Sequence, residues 1–238
     1  IPRWFGFQPD VPVTLNMFSD ASDKGYGAVG IFTGPNDHRA FVAAKGFVIN
    51  PKKPPTTPRG ELQALLVVIR LAESTLEQLQ GQININKIIF WTDSAVVYYW
   101  AHNDTKRYKE FVANRLAEIH AFLDSRTDLS PEVRWLDTKS NPADLISRGL
   151  DVDELEAQFQ FWTNGPKFLG LGEDQWPVPP ALPVKKEDVE LKKEEVFMFT
   201  GEPEDLLKDF KDLKEFACDQ LQQGKDPSPQ KIKEFEMI

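Results

Sequence analysis

The 238-residue chain has one cysteine, Cys218, and three histidines, His38, His102 and His120, scattered along it. A single thiol excludes an internal disulfide and a cysteine-built zinc site, and it points to a reducing compartment. Three unclustered imidazoles argue against histidine ligation of a metal. Long apolar runs are missing too. The longest aliphatic one, Ala64–Ile69, is far short of the roughly 20 residues that cross a bilayer, so no membrane partner is expected. The start, "IPRWFGFQPDVP", lacks both the basic-then-apolar layout of a signal peptide and an initiator Met. A fragment or a processed product is the expectation.

Basic charge is scarce overall, with a net charge of −9. Its distribution matters more than its sum. Residues 1–150 carry 17 Lys and Arg against 16 Asp and Glu, whereas the rest carry 11 against 21. The acidity therefore lies in the last third, and the first part is nearly neutral, so a nucleic-acid partner is not excluded there. Hydrophobic residues at 41% and charged residues at 27% are ordinary for a globular protein of one good-sized domain with an appendage.

The organisation follows from periodicity. Val13, Leu15 and Met17 alternate with polar residues and lead into "FSDAS", a half-buried strand. Gly25 and Gly27 supply a turn, "YGAVGIFTG" a second strand and "AFVAAKGFVI" a third, all antiparallel. After the proline-stiffened loop "NPKKPPTTP", Thr57 as N-cap and Pro58 as first helical residue open a helix. Its apolar stripe runs through residues 62, 65, 66, 69, 72, 76 and 79. "KIIFWTDS" reads as a strand covered on both faces. Ser94 can cap a helix "AVVYYWAHN"; "YKEFVANRLAEIHAFLDSR" is a second amphipathic helix, and "EVRWLDT" a last strand. Ser140 or Asn141, then Pro142, opens "PADLISRG", closed by Gly149. The order β-β-β-α-β-α-α-β-α implies an α/β fold with a mixed five-stranded sheet, three antiparallel strands then parallel additions, and helices on both faces. Residues 151–184 form an aromatic, Pro/Gly-rich extension packed on that domain. Residues 185–238 are an acidic linker and an amphipathic helix, its face built from Leu206, Leu207, Phe210, Leu213, Phe216 and Ala217.

Four acids fall on telling elements: Asp20 at the end of the first strand, Glu61 in the first turn of the long helix, Asp93 at the end of the central strand, and Asp144 in the first turn of the last helix. Singly, each has a plain reading, as a helix-start acid or a turn residue. Together, in a mixed sheet, they can meet at one edge. Their mutual repulsion is relieved by hard divalent cations, Mg²⁺ with Mn²⁺ as a substitute. Two such ions, about 3.5–4 Å apart, suit phosphodiester hydrolysis.

"FSDAS…GYGAV", "ELQALLVVIRLAE", "FWTDSAVVYYW" and "NPADLISRG", in this order, resemble the ribonuclease H domain of BEL/Pao-type retrotransposon polyproteins. "IPRWF", "RYKEFVANRLAEI" and "FWTNGPKFL" add to the likeness, which covers about residues 1–170. The resemblance implies a ribonuclease H-like fold over residues 13–150, with residues 1–12 connecting from an upstream reverse transcriptase domain. It implies metal-dependent cleavage of the RNA strand of RNA–DNA hybrids, leaving 3′-hydroxyl and 5′-phosphate ends, inside a cytoplasmic reverse-transcription complex or virus-like particle. Asp20 would bridge two metal ions, Asp144 would help hold the water-activating one, and Glu61 and Asp93 the one on the leaving-group side. The ribose 2′-hydroxyl tells RNA from DNA, and Ser22 and Gly60 are candidate readers beside Glu61. One departure stands out. The loop "DTKSNPAD" lacks the histidine that many ribonucleases H carry there, and Lys139 is its only cation.

Other features have competing readings. Lys106, Arg107, Lys109 and Arg115, with Tyr108 and Phe111 among them, could track a phosphate backbone or form a solvated helix face. Lys52 and Lys53 read as a solvated loop. Ser94 sits where a helix start favours either a phosphate or an ordinary cap. Trp91, Trp100 and Trp135 read as core, and the Lys/Glu run at 185–195 as a solvated linker. Two rival functions remain: a non-catalytic module for polyprotein assembly or nucleic-acid binding, and an integrase-type strand transferase. The latter needs a later glutamate, for which Glu118, 25 residues past Asp93, is the candidate.

Overall fold

The computed structural model describes residues 4–103, 107–181 and 190–191, all within a compact unit that spans Ile1–Lys192. The amphipathic stretch at 206–217, Lys106 and most of the 185–195 run lie outside the described residues.

The alternating segments become strands β1 (Pro12–Ala21), β2 (Gly25–Thr33) and β3 (Arg39–Val48), followed by helix α1 (Thr57–Leu79) and strand β4 (Asn84–Thr92). Helices α2 (Ala95–Ala101) and α3 (Glu110–Ser125), strand β5 (Glu132–Trp135), and helices α4 (Asp144–Arg148) and α5 (Val152–Asn164) complete the order. The sheet runs β3-β2-β1-β4-β5. β1 is antiparallel to β2, β2 to β3, and β1 and β4 and then β4 and β5 are parallel. This is the ribonuclease H-like mixed sheet expected from the sequence.

Strand alternation splits the core in two. Val13, Leu15 and Met17 with Ile88 and Phe90 face α1 and α3, which bring Leu62, Leu65, Ile69, Val112 and Ile119. Phe18, Val29 and Ile31 with Ile89 and Trp91 face the opposite cover: Leu136, Ala143 and Leu169, with Ile146, Trp162, Phe168 and Trp176 around them. The continuous apolar run of β4 is thus explained, since both of its faces are covered. The Trp91 indole N–H donates to Asn16 Oδ1 at 3.1 Å, which satisfies two buried polar groups on the second face.

The structure shifts several boundaries. Thr56, not Thr57, is the α1 N-cap, so Glu61 sits one turn in, not in the first turn. α4 begins at Asp144, because Asn141 Oδ1 takes the Ala143 N–H in a tight turn at 3.2 Å. The extension contains a full helix, α5, which starts with a reciprocal capping box between Asp151 and Glu154. Arg39 then ties the end of α5 to the sheet, donating to the carbonyls of Asn164 and Pro166 at 3.1 and 2.7 Å. The 185–195 run is not wholly solvated. Glu190 is buried and takes both donors of Arg59 at 2.8 and 2.9 Å, and Leu191 bridges to Tyr108.

Candidate metal centre

The register of β1 and β4 builds half of the centre. Ser19 pairs with Thr92, so Asp20 and Asp93, one residue further on, leave adjacent parallel strands side by side. Inner hydrogen bonds fix these strand ends. Ser19 Oγ donates to the Trp91 carbonyl at 3.0 Å, Asn141 Nδ2 to the Ser19 carbonyl at 2.9 Å, and Trp135 Nε1 to the Asp93 carbonyl at 2.9 Å. α1 supplies Glu61, whose neighbour Gly60 is buried against the end of β1. A Cβ on Gly60 would stand 3.4 Å from Ala21 Cβ. The Ala21 backbone N–H reaches the Glu61 carboxylate.

One carboxylate oxygen each from Asp20, Glu61 and Asp93 lies within 4.8 Å of the other two. Asp20 is 3% exposed and Glu61 8%. Glu61 Oε2 and Asp93 Oδ1 are buried with no hydrogen-bond partner among the described residues. Burial, and next the Asp93 charge, push Glu61 up to about 9 and Asp20 to about 7. Burial raises Asp93 as well, against the hydrogen bonds of Thr138 and Asn141. Three crowded acids, two of them with such unpartnered oxygens, form a candidate donor set for a hard divalent cation, which would compensate the charge that burial opposes. The residues therefore fit a hard divalent cation.

Asp144 stands beside this trio rather than in it. Its charge acts on Asp20, Glu61 and Asp93, but its Oδ1 is ion-paired with Arg148 Nε one turn on. Arg148 corrects the reading of Lys139 as the one nearby cation, since its charge also acts on Asp20 and Asp93. Lys139 is exposed on a 3₁₀ turn, Thr138–Ser140.

The other candidates also make contacts within the fold. Ser22 Oγ donates to the Ser147 carbonyl at 2.6 Å and accepts from the N–H groups of Lys24 and Gly25. Ser94 caps α2 by accepting from the Val97 N–H. Arg115 donates to Gln63 Oε1 at 2.7 Å and lies 3.5 Å from the centroid of the Phe111 ring, which Arg59 also covers. Tyr108, grouped with these cations in the sequence, belongs to the core instead. Glu118 is held by both donors of Arg70 on the outer face of α1 and α3, outside the acidic group, so the strand-transferase reading loses its last acid. Sequence reasoning passed over Ser147 and Arg148 and read Asn141 only as a possible helix start. The "NPAD" and "SRG" ends of the last helix motif held them in plain view, but their partners lie more than 100 residues away or one helical turn on.

Fold and site together define a ribonuclease H-like α/β protein with an acidic metal-type centre. The family model of the Pao retrotransposon-like RNaseH-like domain matches residues 1–94, a stretch that includes Asp20, Glu61 and Asp93. The resemblance read from the sequence holds over those residues. No curated protein matches the chain. Among solved structures, the N-terminal RNase H domain of a Mycobacterium tuberculosis protein is similar at 15% identity and a TM-score of 0.42, over 63% of this chain and 98% of that one. RNase H1 of Halobacterium salinarum is similar at 14% identity and 0.41, over 57% and 93%. The protease–reverse transcriptase of prototype foamy virus is similar at 11% and 0.36, over 60% of this chain and 20% of that one. The strand order β3-β2-β1-β4-β5, with β4 and β5 parallel to β1, by itself defines the fold.

Proposed function

We propose that the chain is a divalent-metal-dependent ribonuclease H that hydrolyses the RNA strand of RNA–DNA hybrids during retrotransposon reverse transcription. The observation that carries this reading is the convergence of Asp20, Glu61 and Asp93, two of them with unpartnered buried oxygens, inside the stretch that matches the Pao family. When bound, Mg²⁺ or Mn²⁺ would supply an activated water and stabilisation of the leaving 3′ oxygen. The chain's own work is positional. Paired strand ends hold Asp20 and Asp93 rigidly, α1 brings Glu61, and α4 brings Asp144 as the fourth acid. Lys139, Arg115 and Ser94 are assigned to the hybrid's phosphates, and Ser22 and Gly60 to the ribose edge, where a 2′-hydroxyl separates RNA from DNA. Because the Ser22 hydroxyl is committed to inner bonds and its N–H donates to the Gly25 carbonyl at 2.8 Å, its contribution there is its backbone carbonyl. The physiological partner in this reading is the reverse transcriptase domain of the same polyprotein, in a cytoplasmic reverse-transcription complex.

The test is incubation with an end-labelled RNA–DNA hybrid, with RNA and DNA duplexes as controls, in Mg²⁺ and in Mn²⁺. Cleavage confined to the RNA strand of the hybrid is expected, and Asp93→Asn should reduce it to background with an unchanged circular dichroism spectrum. A hybrid left intact in both ions, or wild-type cleavage by Asp93→Asn, refutes the reading. Hybrid binding without cleavage, and without thermal stabilisation by either ion, would instead mark a non-catalytic module.

A further inference from the structure

α4 has only five residues, yet it delivers two groups to the centre. Asp144 opens it, and Ser147 follows one turn later, 2% exposed. Ser147 Oγ contacts Asp20 Oδ2 and lies 3.2 Å from the Asp144 carbonyl. A hydroxyl has one proton to give, and a carboxylate is a stronger acceptor than a helix carbonyl. The bond to Asp20 is therefore the one Ser147 makes with its proton, and the ordinary back-bond of a helical serine is secondary. The Ser147 carbonyl in turn accepts from Ser22 Oγ, which closes the β1–β2 turn on Lys24 and Gly25. Ser147 thus grips the end of β1 twice, by its side chain on Asp20 and by its backbone on Ser22.

The seat of α4 makes that grip exact in register. Gly27 and Gly46 are paired across β2 and β3, and a Cβ on either would fall 2.7 Å from Ile146 Cγ2. The two missing side chains let α4 lie against the sheet with Ile146 in the gap. Ser147, the next residue, then meets Asp20. Asp144 and Asp20 come from segments more than 120 residues apart, and Ser147 is the side chain that links the helix bearing one to the strand bearing the other.

We propose that Ser147 is a positioning residue of the metal centre: it orients the Asp20 carboxylate towards Glu61 and Asp93 and sets the distance of Asp144 from that group. The proposal rests on the metal-site reading above. Outer partners that orient a ligand typically change metal affinity 10–100-fold when removed.

The experiment is a Mg²⁺ and Mn²⁺ titration of the whole chain without nucleic acid, followed by calorimetry and by the rise in Tm. Ser147→Ala should bind either ion about 10–100-fold more weakly. Ser147→Thr, which keeps the hydroxyl, should recover most of that loss. Ser22→Ala should weaken binding less, because it acts only through the Ser147 carbonyl. In cleavage assays Ser147→Ala should raise the ion concentration for half-maximal rate, with the rate largely recovered at saturating ion. Melting in EDTA identifies any variant that fails to fold, and Ser22→Ala and Ser147→Thr then carry the comparison. Wild-type ion affinity in Ser147→Ala, alongside loss of binding in Asp20→Asn, overturns the role of Ser147 and leaves the metal site standing. Wild-type affinity in Asp20→Asn as well overturns both.

Discussion

The two faces of the sheet are covered by different means. On one, α1 and α3 lay long apolar stripes over Leu15, Met17, Ile88 and Phe90. On the other, the cover is assembled from short pieces: α4, α5, a 3₁₀ turn at Lys167–Gly170, and single aromatic contacts such as Trp91 with Phe168 and Trp176. The first cover is strong because it is repetitive; each fully buried Leu or Ile contributes roughly 1.5–3 kcal/mol. The second is specific because each piece is seated by one fit, such as Ile146 over Gly27 and Gly46, or Arg39 on three carbonyls. The acidic centre lies where the covers meet, with Glu61 from the first and Asp144 from the second. Stability is therefore concentrated on one face, and the adjustment of the fourth acid on the other.

The contrast is broken most sharply by Leu65→Ala, in the middle of α1. A loss of about 2–5 kcal/mol is expected in denaturant unfolding, with the ion affinity of the surviving fold unchanged. An equal loss of ion affinity would show that the first face tunes the centre too. A pH series in EDTA tests the centre itself. Asp20 and Glu61 have folded-state values of about 7 and about 9, above their ordinary values, so the folded chain holds their protons longer than the unfolded chain. Their contribution is complete below about pH 4 and is lost as pH rises through about 7 and then about 9. Saturating Mg²⁺ should flatten that decline; a stability that rises from pH 5 to 9 in EDTA would contradict the burial of these acids.

Gly46→Ala sharpens the comparison from the second face. The added methyl meets Ile146 and should cost about 1–3 kcal/mol. Unlike Leu65→Ala, it should also weaken ion binding, because it lifts the helix that carries Asp144 and Ser147. The smallest effect expected is that of Glu190→Gln, about 1 kcal/mol in Tm-derived stability, from loss of the two-pronged pair with Arg59. High salt should reduce the difference between this variant and the wild type.

Much of the first face was legible in the sequence, since its helices and strands advertise themselves by period. So were the four acids, each at the end of a strand or near the start of a helix. The second face was harder to read. α5 was obscured by its aromatic and Pro/Gly-rich setting, although Asp151 and Glu154 hold a capping signature. Arg148 was overlooked in favour of Lys139 because loop position was weighed and the i,i+4 spacing to Asp144 was not. The linker reading of residues 185–195 failed at Glu190 and Leu191, where charge composition could not foresee that Arg59 and Tyr108 would be waiting.

By itself, then, the sequence determined the order of elements, the apolar stripe of α1, the doubly covered β4 and the acids at element ends. All of these follow from spacing along the chain. Only the tertiary structure decided that three acids share one corner while the fourth is held aside by Arg148, that Ser22 faces inward, and that Ser147 reaches Asp20. Those outcomes depend on the β1–β4 register and on the seat of α4 over two glycines, contacts between residues distant in sequence that no local period encodes.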